Sequence, residues 1–420
     1  MPPPRLPALI AGRLPFFYGW VVLGVLCCAG FSRQGPAVST LSVFVTPLIL
    51  DFGWSRTALS GAVSLGGILA AVVSPAIGPF LDRAGSRLLL SYAVLTTGAA
   101  LLLLSLSNSL AMFYILLCFA RMNWASPFEL GIYGAVNNWF IARRQFATSV
   151  ATLAQMAGLV TMPLIAQFAM LRLSWRAAWL AIGLLTLVVG FLPTVLLLVR
   201  RPEDIGLAPD GRDTPAVSQT IAAPAIADPV DADFSRAQAL RMPAFWLVLA
   251  YTVLIYPIQA GISLHMAPNL NEHGITPTIV STYSLMSAVA SLACGFLPRR
   301  LPIRYPMAAT GVFLTASPLL MMAIATSGEA YFAAALFGFG VGGILTLLPI
   351  AWADYFGRTH FGAIRSVALS AQVAAQAAGP LVSGALRDWT GDYQLSLALF
   401  AGLGGLSVVA ALAASRPNAV

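Results

Sequence analysis

The chain has 420 residues, 59% hydrophobic and only 9% charged, with a mean hydropathy of +0.84. Soluble domains carry about 25% charged residues, so no soluble core accommodates this sequence and the class is polytopic membrane protein. The net charge of +8 does not imply nucleic acid as a partner, because the 23 basic residues, all arginine, sit mostly in short stretches between apolar segments.

Taken in order, the chain opens with Arg5 and Arg13 before an apolar run, in the manner of a secretory leader. The run continues past Cys28, and Leu26 before Cys27 is not a small residue, so an uncleaved first span is expected. Twelve spans follow, each about 20 residues or longer as a bilayer requires. They cover 17–47, 57–77, 88–107, 110–140, 145–170, 177–199, 243–266, 277–297, 304–326, 329–356, 366–386 and 395–414. Residues 201–240, rich in Pro, Asp, Ala and Thr, read as a flexible linker. The expected division is a six-helix half over 1–200, a cytoplasmic linker over 201–240 and a second six-helix half over 241–420.

Arg33 lies in span one within Gly30-Phe31-Ser32-Arg33-Gln34-Gly35-Pro36, where the Gly and Pro residues predict a locally broken helix lining a cavity. Span four carries Arg121 and Glu129. A charge at the bilayer centre costs about 2.5–3.5 kcal/mol, so both must face protein or water. Eight residues of continuous helix would put them near one face, about 12 Å apart along the axis. Guanidinium forks suit carboxylate or phosphate, and two arginines against one carboxylate leave net +1, which favours an anionic substrate. Two readings stay open for each group: Arg121 contacts ligand or pairs permanently with Glu129, and Glu129 carries a proton or is a fixed counter-ion.

In the second half the candidates are uncharged. Tyr251, Tyr256 and Gln259 lie in span seven and Gln372 in span eleven, each also readable as a helix-packing residue. His265, near the outer end of span seven, reads as an interfacial structural residue. Gly338-Phe339-Gly340-Val341-Gly342-Gly343 fits G-x-G-x-x-G, but inside an apolar span it reads as small-residue helix packing. The four cysteines read as packing residues, and the three scattered histidines predict no metal site. No cofactor is expected.

With both termini cytoplasmic, the inner segments hold 17 arginines, Arg365 among them, and the outer segments 4, which orients the chain. The halves also repeat. Thr46–Gly53 matches Ala267–Gly274 at an offset of 221, and Gly78–Arg87 matches Gly295–Arg304 at an offset of 217. Parallel repeats of six spans are a recurrent transporter plan, with the site at their interface.

The loop Gly78-Pro79-Phe80-Leu81-Asp82-Arg83-Ala84-Gly85-Ser86-Arg87 resembles the signature loop of the major facilitator superfamily, through Gly78, Asp82, Arg83 and Gly85. The resemblance spans essentially the whole chain and implies an all-α fold of twelve transmembrane helices in two pseudo-symmetric halves. Phe52-Gly53-Trp54-Ser55-Arg56 and Asp354-Tyr355-Phe356-Gly357-Arg358 resemble the monocarboxylate and oxalate/formate branch. Arg299 departs from the pattern by replacing the acid in the second loop copy, and Gly158 and Pro163 of span five do not give the Gly-Pro pattern of drug antiporters.

The resemblance implies a secondary transporter in the plasma (inner) membrane, not an enzyme, working by alternating access as a monomer in the lipid bilayer. A small organic anion is the expected substrate, with Glu129 as proton carrier. Gly78, Asp82, Arg83, Gly85 and Arg87 form the expected gating loop, with Arg143 or Arg144 near Asp82. The rival expectations are an exporter of amphipathic drugs and a transporter-like ligand sensor.

Overall fold

The computed structural model describes residues 5–54, 56–211, 234–272, 280–296 and 301–417. In chain order the helices are α1 (Arg5–Ala11), α2 (Gly19–Ser32), α3 (Val38–Phe52), α4 (Arg56–Ala84), α5 (Ser86–Leu104), α6 (Leu110–Ala125), α7 (Pro127–Trp139), α8 (Arg144–Arg172) and α9 (Trp175–Leu185). A π turn at Thr186–Phe191 carries α9 into α10 (Leu192–Leu197). Then come α11 (Arg236–Arg241), α12 (Pro243–Glu272), α13 (Val280–Phe296), α14 (Arg304–Met322), α15 (Ser327–Phe356), α16 (Phe361–Thr390) and α17 (Gln394–Ala413). Among the described residues eight helical runs are long and apolar enough to cross a membrane. The broken pairs α2/α3 and α6/α7, the shorter α13 and the more polar α16 complete twelve spans.

Two of those spans are broken for local reasons. α2 stops at Arg33, and α3 restarts only after Pro36, from Ala37 in an extended conformation (φ −65°, ψ 155°). Proline has no N–H and disfavours helix in the residue before it. That is the break the sequence predicts. The same chemistry acts at Ser126-Pro127, where Ser126 takes φ −123°, ψ −69°. The expectation of a continuous helix through Arg121 and Glu129 is therefore corrected: the two residues lie on separate helices.

Residues 202–211 are also structured, contrary to the flexible linker expected over 201–240. The Asp210 carboxylate accepts hydrogen bonds from the backbone N–H groups of Ile141, Ala142 and Arg143 and so fixes this stretch to the α7–α8 corner. Residues 212–233, Arg299 and His273 lie outside the described residues.

The helices pack through small residues. A Cβ on Gly338 would stand 2.3 Å from the Tyr283 carbonyl oxygen, and one on Gly342 only 2.0 Å from that of Ser287. Only glycine allows α15 this close to α13, so the Gly338–Gly343 run is packing, as expected. The repeat shows in contacts too. An offset of 217 carries the close pair Gly66–Arg121 onto Tyr283–Gly338, and Gly98–Leu187 onto Thr315–Gly404.

The first and last six spans meet chiefly where α4 crosses α16 and α8 crosses α13. A Cβ on Gly78 would lie 2.1 Å from the Gly362 carbonyl oxygen. Phe146 meets Phe296 edge-on at 5.5 Å. Arg144 Nη1 bonds Asp354 at 2.5 Å. The α4–α16 crossing runs from Gly78–Gly362, beside the Asp82 loop, up to Gly67–Val373.

Candidate functional site

Arg33 sits at the α2/α3 break, where the interrupted helix frees its side chain to cross toward α7 and α8. It is 6% exposed. Its Nη1 donates to Glu129 Oε2 at 2.7 Å and to Gln155 Oε1 at 2.6 Å, and its Nε donates to the Trp124 carbonyl at 2.8 Å. Gln155 Nε2 in turn donates to the Tyr133 hydroxyl at 3.2 Å.

Glu129 does not pair with Arg121. Its second oxygen, Oε1, faces Arg365 Nη2 of α16 at 3.7 Å. Arg365, expected from the sequence in an inner loop, is instead buried at 2% exposure, one turn into α16. Arg365 Nη2 also donates to Gln372 Oε1 at 2.5 Å, two turns along the same helix face. One signal was available, since the predicted span began at 366 and a single further turn would have taken Arg365 inside.

Arg121 has a different environment. Its Nη1 donates to the Pro36 carbonyl at 3.2 Å, and its guanidinium lies 4.3 Å from the Trp124 ring centroid. Arg33 lies 4.7 Å from the same ring, so Trp124 holds two cations by cation–π attraction. Two buried donors, Arg121 Nε and Arg365 Nη1, have no hydrogen-bond partner among the described residues. A buried unsatisfied donor is costly, and a charged one more so.

The remaining candidates divide. Tyr256 is buried within electrostatic reach of Arg365 and Glu129. Gln259 accepts from Gln376 Nε2 at 3.2 Å, linking α12 to α16. Tyr251 makes a helix-packing contact: its hydroxyl meets Thr310 Oγ1 at 2.6 Å and donates to the Met307 carbonyl at 3.2 Å, tying α12 to α14. His265 contacts the Pro380 carbonyl and the Tyr393 hydroxyl, a packing role. Gln155, Tyr133 and Trp124 were missed, because uncharged polar residues in apolar spans look alike until their partners are known.

In the loop, Asp82 lies beside neither Arg143 nor Arg144 in the way expected. Its two carboxylate oxygens accept the backbone N–H groups of Gly362 and Ala363, each at 2.8 Å. These are orphan donors at the start of α16, where the helix dipole also favours an anion. Arg144 instead holds Asp354. Gly85 takes φ +84°, and Arg200 leaves no room there for a Cβ. Arg87 Nη2 donates to the Val195 carbonyl at 2.7 Å, and Arg83 is exposed. Arg365 lies only three residues beyond Gly362, about 4.5 Å along the helix. The Asp82 contact and the buried cluster therefore share one turn of α16.

Among known proteins, a family model described as Major Facilitator Superfamily matches residues 22–276. Membrane sensor protein UhpC of Salmonella typhimurium is 27% identical over 365 residues, covering 80% of this chain and 79% of that protein. The crystal structure of the human organic anion transporter MFSD10 (TETRAN) superposes with a TM-score of 0.68 at 16% identity, covering 98% of this chain and all of that one. FucP, a major facilitator transporter solved in the outward conformation, gives 0.70 at 12% identity, covering 93% and 98%. At these identities the two structures speak for the fold alone.

Proposed function

The chain belongs to the major facilitator superfamily, and from that premise we propose that it moves a small organic anion across the membrane by alternating access. One observation carries this reading: among the described residues of the cluster, three buried guanidiniums, Arg33, Arg121 and Arg365, stand against the one carboxylate of Glu129. The sequence count of net +1 becomes net +2 with Arg365. Desolvating unpaired charge costs several kcal/mol per ion, and an arriving anion offsets that cost.

Each group then has a task. Arg33 is held on three sides and positions Glu129. Arg121 offers its free Nε to the substrate, and Arg365 offers Nη1 from the opposite set of helices. At 3.7 Å the Glu129–Arg365 contact is the looser of the two, so the substrate anion competes with Glu129 there. A carboxylate released from Arg365 is the natural acceptor of a coupled proton. The Asp82–α16 contact closes the inner end while the two six-span halves rock about the site, with both termini cytoplasmic, in the plasma membrane. Uptake of labelled carboxylates into proteoliposomes, with and without a pH gradient, tests the proposal. Accumulation of an acid but not of its amide is expected; preference for the amide overturns it.

A second reading, a ligand sensor, is favoured by the similarity to the membrane sensor protein UhpC. Saturable binding without any exchange across the membrane would support it over transport.

A further inference from the structure

We infer that the cargo is a dianion and that Arg365 sets its valence, an inference that rests on the anion reading above. Among the described residues of the cluster, Arg33, Arg121 and Arg365 carry three positive charges and Glu129 one negative, leaving two uncompensated. Neither Arg144 nor Asp82 enters the sum: Arg144 is paired with Asp354, and both Asp82 oxygens are held by the Gly362 and Ala363 N–H groups at the positive end of the α16 dipole. Tyr133 and Tyr256 are neutral phenols at ordinary pH.

The two unmet donors fall on the two cations that lack a carboxylate of their own. Among the described residues the polar contacts of Arg121 are one carbonyl and the Trp124 face, and its Nε has no hydrogen-bond partner. Arg365 shares at longer range a carboxylate already held by Arg33, and its Nη1 has none. A buried lysine could lose its proton to relieve such an excess, but arginine stays charged in proteins. The charge must be met by the ligand. A monoanion would leave one guanidinium uncompensated, whereas a dianion neutralises the cluster and gives each free N–H an acceptor. A dicarboxylate and a phosphate group share this chemistry.

The test is competition binding on the purified full-length protein at about pH 8, where a phosphate has lost its second proton. The probes are succinate, inorganic phosphate, butyrate and butyramide. At least one dianion is expected to bind about tenfold or more tighter than butyrate, and the preferred one separates the dicarboxylate from the phosphate source. Arg365→Gln lowers the net charge to +1 and is expected to bring that preference to about unity. Adding Glu129→Gln to it restores +2 and is expected to restore the preference. Butyrate binding as tightly as both dianions in the wild type overturns the inference while leaving the anion reading intact, and this arm needs no variant to fold. A folded double variant without dianion preference also overturns it. Butyramide binding as well as the acids would instead remove the anion reading itself.

Discussion

Glu129 Oε1 and Arg365 Nη2 face each other at 3.7 Å, joining a helix of the first six spans to one of the last six inside the apolar body of the protein. On its other oxygen the same carboxylate is held by Arg33 at 2.7 Å. One carboxylate between two guanidiniums, one near and one loose, can exchange partners without ever being left alone. Removing it outright would leave buried charge, a loss of about 3–5 kcal/mol in comparable cases.

Neutralising that carboxylate while keeping its shape separates the roles open to it. Glu129→Gln is expected to abolish accumulation driven by a pH gradient while retaining substrate exchange across the membrane. Proteoliposome assays read both. Unchanged pH-driven accumulation would leave Glu129 as a counter-ion only.

The two arginines that flank Trp124 should respond differently to lysine. Arg33 makes three side-chain hydrogen bonds, and lysine cannot reproduce their fork, so Arg33→Lys is expected to lower thermal stability as well as binding. Among the described residues the Arg121 side chain makes one hydrogen bond, at 3.2 Å. Arg121→Lys is expected to melt within a few degrees of wild type yet lose about 2–5 kcal/mol of anion binding. A melting curve and a binding isotherm on each variant check this; normal binding by both would remove them from the site.

Asp82 receives two backbone N–H groups from α16, and an amide offers only one oxygen and no charge. Asp82→Asn is expected to lower turnover while substrate binding survives, at a cost of about 1–3 kcal/mol to the closed inner end. Transport at the wild-type rate would show that the loop is no gate.

Close helix approach gives a paired test on α4. A methyl group on Gly78 would collide with the Gly362 carbonyl at 2.1 Å, whereas on Gly67 its nearest neighbour is Val373 Cγ1 at 3.9 Å. Gly78→Ala is expected to impair closure and raise thiol-reagent access from the Asp82 end to an introduced cysteine. Gly67→Ala should match wild type. Equal access in both variants would mean that α16 yields without effect on the gate.

The sequence alone determined the class, the twelve spans, the break at Arg33 and the presence of Arg33, Arg121 and Glu129 within spans. Those features follow from local causes: apolar length, proline chemistry and the expense of burying charge. The packed structure decided which charges meet. Glu129 belongs to Arg33 and Arg365 rather than to Arg121, because the Ser126-Pro127 break parts two residues that a continuous helix would align. Arg365 is a buried residue and not a loop residue, because α16 starts a turn earlier than hydropathy predicts and crosses α4 through paired glycines. Asp82 finds the start of α16, not an arginine, because Gly78 and Gly362 bring the two backbones into contact. Partner choice depends on how helices rotate and approach one another, and those distances exist only once the chain is folded.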